Sequence, residues 1–473
     1  MKNLSQAQKK WLSLALLVAV GAGIWFIPAP DGFSVQAWHL FAIFVSTALG
    51  FMLRPLPSGG ITVLAIAVAL LTGTLKLGQA FTGLTSDVIW LIVSAFLFSR
   101  GLIKTGLGVR IAYLLMGKFG SSSLKLGYAF SLGDLIISTF VPSNTARSGG
   151  IVYPVVRSVS EVAGSTPEDN PRKLGAYLVM TTVHNDNMAS LFTLTGAAGN
   201  LLVVSFAAQI AGVQLSWASW LLYMSVPVLI MFILTPLLMY RFYPPGVKDT
   251  SSSQLAAREK LRQLGPISRQ EKMLSAIFLV AVLGWATTSL TGIKAATFAL
   301  LGLALMLLFD IVSWDEVISE KSAWDVMFWM GGMYSIADNL AKMDFFTVFS
   351  SKVQASLAHV SWPVGIAVLV FVFLITTYVF ASGISHILAL YTVFLALAVA
   401  LGVPPYLAVL ALAVCTCIDQ TMTHYSSGPA AVYFGSGYVK QNHWWVIGAV
   451  MVAINTVVFG TVGLGWWKLL GLW

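Results

Sequence analysis

Two short peptides carry residue types suited to holding an anion. Ser143-Asn144-Thr145-Ala146-Arg147 interrupts one long apolar stretch, and Ser382-Gly383-Ile384-Ser385-His386 interrupts another. Ser, Asn and Thr cap helix starts and bring side-chain donors. A helix that begins inside apolar surroundings also offers free N–H groups and partial positive charge to a carboxylate. Ser143, Asn144 and Thr145 at one tip, with Ser382 and Gly383 at the other, are therefore expected to bind substrate. A few residues on stand Arg147 and His386. A dianion in a poorly solvated site needs compensating charge, and one positive charge at about 4 Å supplies about 4 kcal/mol at an effective dielectric near 20, before desolvation. Arg147 and His386 are the expected compensating groups. The alternative for Arg147 is a pairing with Asp134 or Asp186 that only holds the fold.

Two more apolar stretches break at polar or small residues, at Thr193-Leu194-Thr195-Gly196-Ala197-Ala198-Gly199-Asn200 and at Thr423-His424-Tyr425-Ser426-Ser427-Gly428-Pro429. Irregular backbone at membrane depth is tolerated only where it is buried or lines a cavity, so Thr195, Gly196, Asn200, Ser427, Gly428 and Pro429 join the expected binding set. The breaks are related by duplication. Leu135-Ile136-Ile137-Ser138-Thr139-Phe140-Val141 returns 238 positions later as Phe373-Leu374-Ile375-Thr376-Thr377-Tyr378-Val379. The same offset pairs Asp87-Val88 with Asp325-Val326, Lys104 with Lys342 and Tyr153 with Tyr391, while Thr195-Gly196 aligns on Ser427-Gly428 at 232. A long internal repeat in a membrane chain points to a transporter with its site where the repeats meet.

The elements that position these peptides must be membrane helices. Of 473 residues 58% are hydrophobic and 10% charged, with a mean hydropathy of +0.84, against about 25% charged in soluble domains. Runs long enough to span (roughly 17–25 residues) start near Trp11, Ala37, Ile61 and Val88. Others cover 174–211, 217–240, 273–290, 295–310, 325–341, 405–439 and 445–470. The chain is thus expected to be an all-α polytopic membrane protein of about eleven transmembrane helices. Two re-entrant hairpins, 123–163 and 360–401, complete it.

With the N-terminus inside, twenty basic residues fall on the inner side, Lys2 among them; only Lys76, Lys294, Lys342, Lys352 and Lys468 fall outside. That is a positive-inside bias. The excess charge, +9 in all, then serves topology and anionic lipid, with no nucleic-acid partner. The repeats come out inverted, and the C-terminus lies outside. The stretches 104–120 and 342–358 are amphipathic and expected along an interface. The Trp11 to Ile27 run lacks a small-residue cleavage site, so no secretory signal is read there, and the short polar start does not resemble an organellar transit peptide.

The tip Ser143-Asn144-Thr145-Ala146-Arg147, followed by Gly149-Gly150, resembles the Ser-Asn-Thr signature of the divalent anion/sodium symporter family. The second tip, Phe380-Ala381-Ser382 with His386, Ala389, Leu390 and Tyr391, lacks a second Ser-Asn-Thr. It is similar instead to the plastid 2-oxoglutarate/malate translocators and bacterial citrate/succinate exchangers of that family, as is Gly428-Pro429-Ala430 with Tyr433-Phe434-Gly435-Ser436-Gly437-Tyr438. The resemblance covers nearly the whole chain. It implies a homodimer in the plasma membrane working by an elevator motion. Its scaffold would be 1–122 and 273–358, its transport domain 123–240 and 359–473, and 241–272 a cytoplasmic linker. It also implies exchange of di- or tricarboxylates without sodium, with sodium- or proton-coupled symport as the alternative.

Other chemistries find little support. No Gly-x-Ser-x-Gly or His-Glu-x-x-His motif is present, so an intramembrane hydrolase lacks its residues. His184 and His424 have no Cys or carboxylate at metal-ligand spacing and are expected as polar packing residues, so neither metal nor cofactor is expected. Cys415 and Cys417 read as small core residues, and Arg100 and Asp338, repeat mates, as structural. Asp186 and Asp419 are expected to cap or hydrogen-bond within the broken spans, the alternative being that each carries a proton or orients Arg147 or His386.

Overall fold

The structure, a computed structural model, describes residues 5–357, 359–380 and 382–473. Lys2, counted above on the inner side, and Ala381 of the second tip lie outside the described residues. Among those described, every regular element is a helix. Seven helices are long and apolar enough to cross a membrane: Gln6–Phe26, Val35–Leu53, Asp87–Thr105, Trp217–Phe242, Trp362–Val379, Gly383–Ala400 and Gln441–Leu469. Four shorter apolar helices, Ser58–Leu71, Ala198–Ala211, Ala295–Leu308 and Pro405–Ile418, accompany them. Each expected span has its helix, and five of the eleven are among these seven. The spans expected from Ile61 and at 295–310 are the shorter Ser58–Leu71 and Ala295–Leu308, those at 273–290 and 325–341 are Arg269–Ala286 and Lys321–Lys342, and two divide, 174–211 into Gly175–Phe192 and Ala198–Ala211 and 405–439 into Pro405–Ile418 and Gly428–Gly435. Two of the seven are the arms of the second hairpin.

Backbone groups released at depth find partners. Trp217–Phe242 carries Pro227 and Pro236 in its interior, and each proline leaves the carbonyl four residues back without its donor. For Pro236 that carbonyl is Phe232, and the Asn185 side-chain amide donates to it at 3.2 Å. For Pro227 it is Tyr223, which accepts from the Trp467 indole N–H at 2.9 Å. The first broken span is held the same way. Asn200 Nδ2 donates to Ser190 O at 2.7 Å and Thr193 O at 3.1 Å, tying off the end of the first half-helix.

The duplication extends to the corners of the chain. Left-handed backbone occurs at Arg54 and Gly292, at Gly106 and Asp344, and at Gly164 and Gly402, each pair 238 apart. The amphipathic helices Leu107–Phe119 and Phe345–Leu357 follow the middle pair at matched positions. Past each hairpin tip the helix widens into a π-helical stretch, Thr145–Val152 and Ile387–Tyr391. Such widened turns collect at functional sites.

Two compact units emerge. One comprises Met1–Val93, Leu202–Gln214 and Lys321–Leu412, the other Ser94–Leu201, Leu215–Glu320 and Ala413–Trp473. This grouping differs from the sequence-based division, which put both hairpins together. In the first unit Ser350 Oγ donates to Ala396 O, joining an amphipathic helix to the second hairpin. Gly83 there packs so closely on Gly331 that a Cβ would overlap its carbonyl. In the second unit the polar linker folds as Ser251–Gln263 and docks. Arg110 binds Glu271 at 2.6 Å and the Gly265 carbonyl at 2.9 Å, while Arg258 Nε donates to Gly117 O at 2.7 Å.

Candidate functional site

The first hairpin enters as Ser123–Ser138, turns through 139–144 and leaves through Thr145–Val152 and Tyr153–Val162. Its tip is built on both broken spans of the same unit. Thr195 Oγ1 donates to Thr139 O at 2.7 Å, Ala198 N donates to Pro142 O at 3.1 Å, and Arg147 Nη1 donates to Gly196 O at 2.8 Å. From the second broken span, Gln420 Oε1 accepts from Asn144 Nδ2 at 3.4 Å. Gly428 lies so close to Thr145 that an added Cβ would overlap its hydroxyl, and Val432, three residues beyond Pro429, packs against Gly149.

The structure therefore brings together nine of the expected binding residues: Ser143, Asn144, Thr145, Thr195, Gly196, Asn200, Ser427, Gly428 and Pro429. Their hydrogen bonds divide them by role. Thr195 is spent on Thr139 and on the Trp217 indole N–H, and both Asn200 amide donors on Ser190 and Thr193. Ser427 caps Gly428–Gly435 by accepting from Ala430 N at 3.2 Å, and Ser143 accepts from Ala146 N at 3.3 Å. Asn144 is half-buried and Thr145 exposed. With its single long bond to Gln420, Asn144 is the group best placed to turn its amide to a ligand.

Arg147 lies beneath this tip and is fully buried. Nε donates to Asp134 Oδ1 at 2.9 Å and Nη2 to Asp186 Oδ1 at 2.6 Å. Nη1 holds the Val141 and Gly196 carbonyls, and Nη2 also reaches Ser190 Oγ at 2.8 Å. A guanidinium has five N–H donors, and all have protein acceptors. The structure thus shows the pairing weighed above as the alternative, with both carboxylates at once, and not a guanidinium aimed outward. What Arg147 does locally is fix the bend between Val141 and the first broken span.

The second tip belongs to the other unit. Ser382 caps the short helix Gly383–His386 and, like Gly383, is half-buried. His386 Nε2 meets Thr376 Oγ1 at 2.9 Å and Nδ1 meets Thr377 Oγ1 at 3.3 Å. Thr376 already donates its proton to Phe373 O at 2.7 Å, so it can only accept from the ring. Nε2 then carries the hydrogen, and Nδ1 meets the Thr377 hydroxyl, which can donate or accept. The rings of Phe373 and Phe380 pack against it, with centroids 4.2 and 5.1 Å away. These contacts describe a brace across the hairpin in which both ring nitrogens are engaged within the protein.

Several polar groups near the first tip escaped the sequence reading. The second break opens at Asp419, right after Pro405–Ile418, and not at Thr423, so Gln420 and Thr421 were passed over. Thr421 Oγ1 receives Asn187 Nδ2 at 3.0 Å and meets His184 Nδ1 at 2.9 Å. Ser148 and Tyr433 exchange hydrogen bonds at 3.1 and 3.2 Å. The available signal was the polar run from Asp419 straight after the cysteines. His424 sits in an aromatic cluster and accepts from the Trp445 indole at 3.0 Å. Away from the tips, Arg100 and Lys104 both meet Glu316, at 3.9 and 2.6 Å, and their repeat mates Asp338 and Lys342 pair with each other at 2.6 Å.

Residues 8–473 match the family described as the sodium:sulfate symporter transmembrane region. The putative malate transporter YflS of Bacillus subtilis is 43% identical over 469 residues, covering 99% of this chain and 98% of that one. Dicarboxylate transporter 2, chloroplastic, of Spinacia oleracea is 40% identical, covering 98% and 83%. The inner membrane protein YbhI of Escherichia coli is 37% identical, covering 98% and 99%. Among solved structures, the Alcanivorax borkumensis YdaH transporter shares the fold, with a TM-score of 0.51 at 14% identity over 99% of this chain and 98% of that one. The chain belongs to the sodium:sulfate symporter family and is a multi-pass membrane transporter, not an enzyme.

Proposed function

We propose that this member of the family exchanges dicarboxylates across the plasma membrane without sodium. The observation that carries the reading is the contrast between its tips. The first presents Ser143, Asn144 and Thr145 over two broken spans; the second offers Ser382 and Gly383 and no Ser-Asn-Thr. Relatives named for malate and dicarboxylate transport at 43% and 40% identity support the substrate class. In this reading Asn144 and Thr145, with the N-termini at Thr145 and Gly428, receive a carboxylate at the first tip, and Ser382 and Gly383 are the substrate residues of the second tip within its own unit. Arg147 and His386 enter this reading as positioning residues: with their hydrogen bonds spent internally, they set the shape and field of each tip.

By resemblance, the unit of function is a homodimer with the N-terminus in the cytoplasm. Segments 123–240 and 359–473 move as the transport domain against 1–122 and 273–358, joined by 241–272. Sodium-coupled symport is the second reading, favoured by the family's description as sodium symporters. Flux into proteoliposomes separates the two. Uptake of labelled succinate or 2-oxoglutarate should require unlabelled dicarboxylate inside and stay unchanged when choline replaces sodium. Sodium-dependent uptake into empty vesicles overturns the exchanger reading.

A further inference from the structure

Behind the first tip three ionisable side chains are sealed together. The side chains of Arg147, Asp134 and Asp186 are 0%, 2% and 1% exposed. Arg147 uses Oδ1 of each carboxylate, at 2.9 and 2.6 Å. Oδ2 of Asp134 and Oδ2 of Asp186 are both buried and receive no hydrogen bond, and the two carboxylates are bound to Nε and Nη2 of the same guanidinium. Two carboxylates thus share one cation, each with a buried acceptor to which nothing donates. Ionised carboxylates in contact repel, and in a dry interior one of such a pair is kept protonated. Orphaned buried acceptors are themselves rare.

We infer that Asp134 and Asp186 hold one proton between them, making the Asp134–Arg147–Asp186 cluster a proton-binding site. Two carboxylates, one guanidinium and one proton sum to no net charge. The groups that face the cluster do not supply an alternative cation. Ser190 accepts from Arg147. Tyr433, from Gly428–Gly435, is engaged with Ser148. Cys417, from Pro405–Ile418, points its thiol at Asn200 Oδ1. His184, two positions before Asp186 in sequence, turns Nδ1 to Thr421. The proton is resident in the fold, sealed from solvent, and is not cargo. Its presence does not depend on whether the carrier exchanges or symports. Its consequence for an anion site is direct, because without it the first tip would rest on a net negative cluster.

Infrared spectroscopy of the purified protein labelled with carbon-13 at the aspartate side-chain carboxyl tests this. At about pH 7.5, more than three units above an ordinary aspartate pKa of about 3.9, the wild-type protein should show a label-sensitive carboxylic-acid C=O band. The band should vanish in Asp134→Asn and in Asp186→Asn, since the remaining carboxylate then accepts from the new amide and stays ionised opposite Arg147. Asp338 and Asp419 are the other buried aspartates. The band should persist in Asp338→Asn and Asp419→Asn, which assigns it by elimination if neither cluster variant folds. No acid band in the wild type, or a band lost with Asp338 or Asp419, overturns the inference.

Discussion

Asn144 and Arg147 stand three residues apart and do opposite work. Asn144 has one long hydrogen bond at 3.4 Å and a half-open setting; Arg147 has no donor left and no exposure. A ligand-facing amide lost to alanine removes a hydrogen bond to a charged group, about 1.5–3 kcal/mol. Asn144→Ala should therefore weaken dicarboxylate binding at least tenfold, read by titration calorimetry, with thermal stability little changed. Unchanged affinity would move the anion elsewhere. Arg147→Gln should act in the reverse order. It uncouples two buried carboxylates from their only cation and releases the Val141 and Gly196 carbonyls, and breaking a buried pair costs about 3–5 kcal/mol. The expected result is a large fall in melting temperature or no folded protein. A variant that melts like wild type but binds poorly would return Arg147 to the role of a direct ligand.

The broken spans and the linker are where single elements decide function. Gly428 opens the half-helix Gly428–Gly435 directly against Thr145. Its value is the missing Cβ, because it lets a helix start touch a hairpin tip. Gly428→Ala should push the tip from the broken span and abolish measurable transport in proteoliposomes, while Gly435→Ala, with open space around its Cβ, serves as the tolerated control. Equal transport by both variants would show that this contact is dispensable. The linker helix Ser251–Gln263 is held by Arg110 at Glu271 and three successive carbonyls, Leu264, Gly265 and Pro266. Arg110→Ala should cost about 3 kcal/mol, read as a lower melting temperature, and make the segment 251–263 the first site of limited proteolysis. The helix buries Ser253 and Ala257, with Leu261 half-buried beyond them, while Leu255 faces out; a face with a single large aliphatic residue leaves no hydrophobic stripe along the sequence.

For the whole molecule the strongest regularity is the repeat, carried into three dimensions by left-handed corners at matched positions: Arg54 and Gly292, Gly106 and Asp344, Gly164 and Gly402. A duplicated corner with opposite basic-residue placement is the pattern expected of an inverted repeat. Glu168→Cys, in the turn after the first hairpin, should react with a membrane-impermeant maleimide only from the cytoplasmic side, and Lys294→Cys only from outside. The native Cys415 and Cys417 are buried and should stay silent. Labelling of both engineered sites from one side would refute the inverted arrangement.

What the sequence determined by itself was what a chain encodes locally or by copying. Hydrophobic run length set the membrane class, capping residues inside apolar runs set the tips and the first break, and the 238 offset set the repeat. These signals depend on neighbours within a few positions, or on one segment resembling another. The partners of charged side chains were decided only by the tertiary structure. Arg147 chose both Asp134, 13 positions back, and Asp186, 39 positions on, and His386 met the hydroxyls of Thr376 and Thr377. Charge in an apolar interior is settled by whichever donors and acceptors folding brings within about 3 Å, since desolvation leaves no other way to balance it. No pattern along the chain carries that distance.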